Sequence, residues 1–255
     1  MRLDLFLVSK SYYKSREQAK EAIVNELVYV NDKLALKPSM EINGDEKIVA
    51  LDNFKYVSRG GLKLEKAIEE FYLDFQEKTI VDIGSSTGGF TDCSLKHGAK
   101  KVYSIDVGTN QLDESLKFNE RVISLEQTNF LDIPYFNEEI DYYVMDVSFV
   151  SITQIIPHII TLGGENIIAL IKPQYEVGPK LLNKNGVLKD RAMHLNVLKA
   201  IDAFVNNLNY RIHKITFSPI KGKSGNIEYI CHIKKSSNSN IDFYQVVNNA
   251  FNKVK

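Results

Sequence analysis

Apolar and polar positions follow two different rhythms along this chain. Near the start, Ala19, Ala22, Ile23 and Leu27 recur at helical spacing behind Ser15-Arg-Glu-Gln18. That tetrapeptide reads as a capping box, with the Ser15 hydroxyl accepting from the Gln18 amide while the Gln18 side chain reaches back. The spacing predicts an amphipathic helix over residues 15–27. Leu3, Phe6 and Leu7 predict a shorter helix before it. Leu27-Val-Tyr-Val30, an Asn31-Asp32 turn, a Lys37-Pro38 break, Asn43-Gly-Asp45 and Lys47-Ile-Val-Ala-Leu51 follow. Residues 1–55 thus read as a small α+β module, too small for catalysis of its own.

From about residue 79 the rhythm becomes strand, helix, strand, helix. Thr79-Ile-Val-Asp-Ile83, Lys101-Val-Tyr-Ser-Ile105, Val122-Ile-Ser-Leu125, Asp141-Tyr-Tyr-Val-Met145 and Asn166-Ile-Ile-Ala-Leu-Ile171 are short β-branched or aromatic runs. Helical stretches lie between most of them, the alternation of an α/β domain whose mostly parallel sheet is covered on both faces. Tyr210–Phe217 and Asn226–Ile233, separated by a Pro/Gly/Lys loop, predict a C-terminal antiparallel hairpin. Ser236-Ser-Asn-Ser-Asn240 reads as a polar linker. Phe243, Val246, Val247, Ala250 and Phe251 mark one face of a last helix. The expected domains are 1–55 and 64–255, with 56–63 as linker.

Composition narrows the function classes. Apolar residues make up 44% and charged residues 25% of the 255 positions, as in ordinary globular chains. Lysines and arginines total 32 against 32 acids, so no global basic field exists and any nucleic-acid contact must be local. Cys93 and Cys231 are too few for a disulfide framework or a four-thiolate zinc site, and no metal is expected. Asp4 interrupts the position of a signal-peptide apolar segment, and Ile167–Ile171 is too short to span a bilayer. A soluble cytoplasmic protein with no membrane partner is expected.

The chemistry begins at Asp82-Ile-Gly84-Ser-Ser-Thr-Gly88-Gly89-Phe90, where the first strand of the α/β region turns into a helix. Glycines there let backbone approach a ligand and leave amide donors for it. A triphosphate loop needs Gly-Lys-Ser/Thr, but Phe90 and Thr91 follow Gly89. A dinucleotide fingerprint needs Gly-x-Gly-x-x-Gly, and position 86 is Ser. The arrangement resembles the S-adenosylmethionine loop of methyltransferases, with Asp82, Gly84, Ser85, Ser86, Thr87, Gly88, Gly89 and Phe90 as candidate cofactor residues. Asp106, ending the second strand, is placed to hold a ribose diol, and Asn129 and Asp132 to border the adenine. The plainer reading makes the glycines helix-packing positions and Asp106 a helix cap.

The fourth strand ends Asp146-Val-Ser-Phe149, without the prolines that grip an exocyclic amino group. Neither cysteine sits beside a proline as a pyrimidine-attacking nucleophile would, which leaves oxygen acceptors. A ribose hydroxyl is a poor nucleophile and needs a positioned base. Lys172 closes an apolar buried strand, where a lysine is unusual. Glu228 lies between Ile227 and Tyr229, and Lys63 just before the stripe Leu64, Ala67, Ile68 and Phe71. Their plainer readings are a lysine snorkelling from the strand end, an outward strand residue and a solvated first-turn lysine.

In the front module Arg2, Lys10, Lys14, Arg16 and Lys20 gather with Tyr12 and Tyr13. Charge alone favours a solvated helix face; the alternative is a surface tracking phosphates, with rings stacking on bases. The spacing does not decide.

Lys63, Asp146, Lys172 and Glu228, in that order, resemble the Lys-Asp-Lys-Glu tetrad of FtsJ-like RNA ribose 2′-O-methyltransferases. Arg2-Leu-Asp4, Ser15-Arg16, Ala19 and Val30-Asn31 resemble an S-four-type RNA-binding domain. Joined by Tyr56-Val-Ser-Arg-Gly-Gly-Leu-Lys63, the two resemble the TlyA family of rRNA methyltransferases over nearly the whole chain. Ile171-Lys-Pro-Gln174 and Gly222-Lys-Ser-Gly-Asn-Ile-Glu228 add to the likeness. The resemblance implies a Rossmann-like domain, S-adenosylmethionine as donor, and 2′-O-methylation of cytidine in rRNA of the large subunit, in some members of both subunits. It implies Lys172 as base, Asp146 and Glu228 as orienting acids and Lys63 as positioning residue. With Arg59, Lys221 and Lys223 added, the front-module cations are the RNA-binding candidates. Two other readings stand beside it: a non-catalytic RNA-binding assembly factor on a methyltransferase scaffold, and a small-molecule O-methyltransferase, which leaves the front module unexplained.

Overall fold

The computed structural model describes residues 1–24, 27–50, 55–235 and 240–254. Contacts divide the chain into two units, Met1–Arg59 and Gly60–Lys255.

The first unit begins with α1 (Leu3–Ser9) and α2 (Arg16–Val24). The Ser15 hydroxyl accepts from the Gln18 amide at 3.2 Å, as a capping box requires. The Gln18 side chain overshoots, however, and accepts from the Lys14 amide at 3.1 Å. Of the helix expected over residues 15–27, Arg16–Val24 is helical, residues 25 and 26 lie outside the described residues, and Leu27 is not helical. Strands β1 (Val28–Val30), β2 (Lys33–Leu34) and β3 (Ile48–Ala50) form an antiparallel sheet in the order β2-β1-β3. Asn31 and Asp32 turn β1 into β2 with positive φ at both positions, the geometry that matches strand twist. Leu3, Leu7, Ala19, Ala22, Ile23, Val28 and Val30 meet in its core.

The second unit opens with α3 (Gly60–Phe71), so Gly60–Lys63, read as linker from sequence, are its first turn. Then follow β4 (Thr79–Ile83), α4 (Gly89–Lys96), β5 (Lys101–Ile105), α5 (Glu114–Lys117), β6 (Val122–Leu125) and β7 (Tyr142–Met145). The chain continues through α6 (Ile156–Thr161), β8 (Asn166–Ile171), α7 (Pro173–Glu176), α8 (Arg191–Asn207), β9 (Arg211–Phe217), β10 (Tyr229–Lys234) and α9 (Phe243–Lys253). Seven strands pair in the order β6-β5-β4-β7-β8-β10-β9. The pairs from β6 to β8 are parallel, and β10 lies antiparallel to both β8 and β9. This is the expected α/β fold with its closing hairpin. Four of the linker residues, 236–239, lie outside the described residues.

Apolar positions explain the layering. Tyr229, Cys231 and Ile233 alternate on one face of β10 and join Val197, Leu198, Ile201 and Val205 of α8 and Val247 and Ala250 of α9 in the main core. Strand order reverses at β4, whose neighbours β5 and β7 diverge to opposite sides. A crevice at the carboxyl ends of strands forms at such a switch point. No helix among the described residues is long and apolar enough to cross a membrane.

Candidate active site

Strand register assembles the site. Met145 of β7 pairs with Ala169 of β8, and Ile171 of β8 with Tyr229 of β10. Asp146, Lys172 and Glu228, each one residue beyond these strands, therefore emerge at one edge of the sheet. Lys63, from the first turn of α3, completes the group. Its Nζ donates to Glu228 Oε2 at 2.8 Å and to Asp146 Oδ2 at 3.2 Å. Lys172 Nζ pairs with Asp146 Oδ1 at 2.5 Å and donates to the Ser148 hydroxyl at 2.9 Å. Lys63, Lys172 and Glu228 are all buried.

Buried charges need partners, and here they find one another. Burial pushes the Lys63 ammonium down, but Asp146 and Glu228 outweigh it, so its pKa ends above the ordinary lysine value. Burial likewise pushes Asp146 up, yet Lys63 and Lys172 hold it below the ordinary carboxylate value. Lys63 is thus a fixed cation and Asp146 a fixed anion over the neutral range.

A cavity of about 580 Å³ adjoins this cluster and shares Asp146 with it. Gly84, Ser86, Asp106 and Asn129 line it, together with Ile83, Phe130, Val147 and Ser148. Asp106 Oδ2 accepts from the Ser86 amide at 2.8 Å and Oδ1 from the Gly108 amide at 2.7 Å, tying the glycine loop to the end of β5. The Asn129 side chain accepts from the Leu131 amide. The other glycine-loop candidates are placed differently. Asp82 is fully buried, where its Oδ2 accepts from the Thr91 hydroxyl and its Oδ1 has no hydrogen-bond partner among the described residues. Burial pushes its carboxyl up to about 7. Gly88 carries φ +93° at the start of α4, and a Cβ there would meet Leu116 Cδ1 at 2.3 Å. Ser85, Gly89 and Phe90 are buried, Thr87 and Asp132 are exposed, and none of them lines the cavity.

A second pocket of about 510 Å³ is lined by Phe149, Gln174, Tyr175, Val177, Leu182 and Asn226 among others, and Gln174 ties it to the cluster through Glu228. Phe149 lines both hollows. It is 84% exposed, has φ +67°, and its ring centroid stands 5.0 Å from that of Tyr175. Left-handed backbone at a bulky aromatic is a strained state.

Two of the RNA-binding candidates converge on one carboxylate. Arg2 binds Asp4 through two hydrogen bonds of 3.0 and 2.9 Å, and Arg16 Nε binds the same carboxylate at 3.0 Å. Asp4 is fully buried, and Arg2 chiefly holds it down at about 2. Lys10 and Lys14 are exposed, Lys20 lies 3.9 Å from Glu17, and Arg59 lies 3.6 Å from Glu21. Lys221 is half-buried in the loop before β10, and Lys223 opens the turn Lys223–Gly225.

A family model described as FtsJ-like methyltransferase matches residues 56–235, and an S4 domain model matches residues 1–48. The chain is 43% identical over 238 residues to "Hemolysin A" of Brachyspira hyodysenteriae, covering 91% of this chain and 99% of that one. It is 37% identical over 256 residues to the Campylobacter jejuni protein named 23S rRNA (cytidine-2′-O)-methyltransferase TlyA, covering 92% and 100%. A solved structure from Streptococcus thermophilus, titled a hemolysin, superposes with TM-score 0.78 at 36% identity over 99% of this chain and 96% of that chain. This chain belongs to the TlyA family. Beyond the residues its motifs point to, this TlyA-family chain has site neighbours that sequence reasoning missed. Ser148 holds Lys172, and Gln174 Nε2 donates to Glu228 Oε1 at 3.4 Å. Glu176 accepts from the Ser151 hydroxyl and the Ile152 amide, fastening the loop after Asp146 to the helix after Lys172. Glu126 accepts from three successive amides, Asn110, Gln111 and Leu112, and shapes the cavity rim. Gln174 lies in Ile171-Lys-Pro-Gln174, but between Lys172 and Glu176 a polar residue carries no signal of its own.

Proposed function

We propose that the protein transfers a methyl group from S-adenosylmethionine to the 2′-hydroxyl of a cytidine ribose in ribosomal RNA, that of the large subunit in the first place. The observation that carries this reading is Asp146, which belongs both to the buried tetrad and to the wall of the cavity. Donor cavity and proton-handling group thus share a boundary.

The cavity fits the cosubstrate on its own terms. Its volume lies in the range of small-molecule sites, and each Asp106 oxygen accepts one backbone amide in the structure. An ionised carboxylate has about four acceptor positions, so capacity remains for a ribose diol. Asp106, Ser86, Gly84 and Asn129 would hold the nucleoside. When bound, S-adenosylmethionine supplies an electrophilic methyl carbon.

The rest is the work of this chain's residues. Lys172 serves as base once it has released its own proton: its two remaining N–H groups then serve Asp146 and Ser148, and its lone pair takes the ribose proton. Lys63 remains an ammonium and fixes both carboxylates. With Lys172 neutral, the tetrad carries one excess negative charge, and the arriving proton cancels it. Phe149 and Tyr175 offer rings against which an unstacked base can rest.

Tritium transfer from labelled cosubstrate to ribosomal subunits, with ribose-methylation mapping of both rRNAs from cells with and without the protein, tests this. Lys172→Ala is expected to bind cosubstrate and RNA but to lose about 10²-fold or more in turnover. Full turnover by that variant overturns the base assignment. Identical methylation maps overturn the activity, and leave the assembly-factor reading.

A further inference from the structure

We propose that Gln174 reads the acceptor base, its side-chain carbonyl accepting a hydrogen bond from the exocyclic amino group of cytosine. This rests on the reading that the acceptor is a cytidine, and adds how the site tells cytidine from uridine. Gln174 stands two residues beyond Lys172, on the short helix α7, and it lines the pocket of about 510 Å³ that meets the cosubstrate cavity at Phe149. The residue is only 6% exposed, and its Oε1 has no hydrogen-bond partner among the described residues.

Chemistry fixes which end of the amide is uncommitted. Glu228 is an acceptor only, so the end of Gln174 facing it must be Nε2, as the 3.4 Å contact has it. Reversing the amide would set a carbonyl against a carboxylate and leave an N–H pair without acceptors. Oε1 is therefore a buried acceptor in need of a donor; it belongs to a residue of the pocket wall and is closed to solvent until that wall shifts to admit a base. The other buried amide of that wall is already occupied: Asn226 Oδ1 accepts from the Leu188 amide and Nδ2 donates to the Gly186 carbonyl. Cytosine carries an amino donor where uracil carries a carbonyl acceptor. One base satisfies the orphaned oxygen, while the other sets two acceptors face to face. Discrimination by a buried unpaired polar group is stronger than discrimination by shape.

The experiment uses the full-length protein and ribosomal subunits in which the mapped target nucleotide is cytidine or uridine. Wild-type enzyme is expected to favour cytidine by about 100-fold in kcat/KM, and Gln174→Met to bring that ratio to within about threefold. If Gln174 served only to hold Glu228, the variant would slow both substrates equally, and an unchanged ratio overturns the proposal. A second measurement needs no variant. Subunits whose target is the pyrimidin-2-one ribonucleoside, which lacks the amino group, should be methylated at least about tenfold more slowly than cytidine by the wild-type enzyme. Equal rates there, or equal wild-type rates on cytidine and uridine, overturn base reading by Gln174 and leave ribose methylation standing. Absence of any wild-type transfer to cytidine ribose overturns the activity itself, and this inference with it.

Discussion

Asp82 and Asp146 sit on neighbouring strands, and burial acts on both, yet their carboxyl groups move in opposite directions. Asp146 has two lysines within an ion pair's reach and stays below its ordinary value. Asp82 has hydrogen bonds from Thr91 but no ion-pair partner among the described residues, and burial carries it from 3.8 up to about 7. The sign of its effect on stability follows by linkage. Below pH 3.8 the group is protonated in both folded and unfolded chains, and its contribution is complete. As pH rises toward about 7 the unfolded chain ionises first, and that contribution is lost. Asp82→Asn removes the titration while keeping an oxygen for Thr91. Its melting temperature is expected to exceed that of the wild type at pH 8 and to converge with it at pH 4, in scanning calorimetry across that interval. A difference independent of pH would show that Asp82 does not titrate between those limits.

At the scale of elements, the active edge is made by register and by one close approach. The loop between β9 and β10 brings Gly222 so near Glu228 that a Cβ would stand 2.0 Å from Oε1. A flexible carboxylate can swing aside at little cost in stability, but this one is held by Lys63 and must stay there. Gly222→Ala is therefore expected to lower kcat by about 10²-fold and, because it strains a buried ion pair, to lower the melting temperature as well, while cosubstrate affinity hardly changes. Normal kcat in single-turnover kinetics would mean that Glu228 tolerates displacement. The elements were legible because period and length separate strands from helices: β4, β5, β6 and β8 begin and end where their apolar runs do. Lys172 was legible because a lysine ending a buried strand conflicts with its surroundings, and Lys63, Asp146 and Glu228 joined it only through the resemblance to the tetrad. Division of labour within the glycine loop was not. Whether Gly88 serves a ligand or the Leu112 and Leu116 side chains is decided by residues more than twenty positions away, and spacing carries no trace of them. The same holds for Arg2 and Arg16, whose charges looked available until Asp4 was seen to bind both. Glu126 and Glu176 act through backbone amides of distant loops, contacts that residue type alone does not announce.

Across the whole molecule, 32 cations balance 32 acids, and an rRNA ligand must be bound without a long-range field. Local contacts then carry the electrostatic part of affinity, and counting them becomes possible. Arg2 and Arg16 already neutralise a buried carboxylate, so their guanidinium groups offer less than full charge to a phosphate. Lys10 and Lys14 are exposed in the same unit, and Lys10 packs its ammonium 5.9 Å from the Phe6 ring centre. If these two lysines each neutralise a phosphate, replacing both with alanine removes two released counterions. The slope of log affinity against log salt is then expected to fall in magnitude by about 1.4 to 1.8, at about 0.7 to 0.9 per contact. Fluorescence titration of rRNA fragments between low and moderate salt reads that slope directly. A weaker affinity with an unchanged slope would mean that the lysines act by packing and that phosphate contact lies elsewhere, with Lys221 the next cation to replace. A reduced slope with turnover preserved at saturating RNA would separate the two units by task, the first setting how often the substrate is held and the second what is done to it.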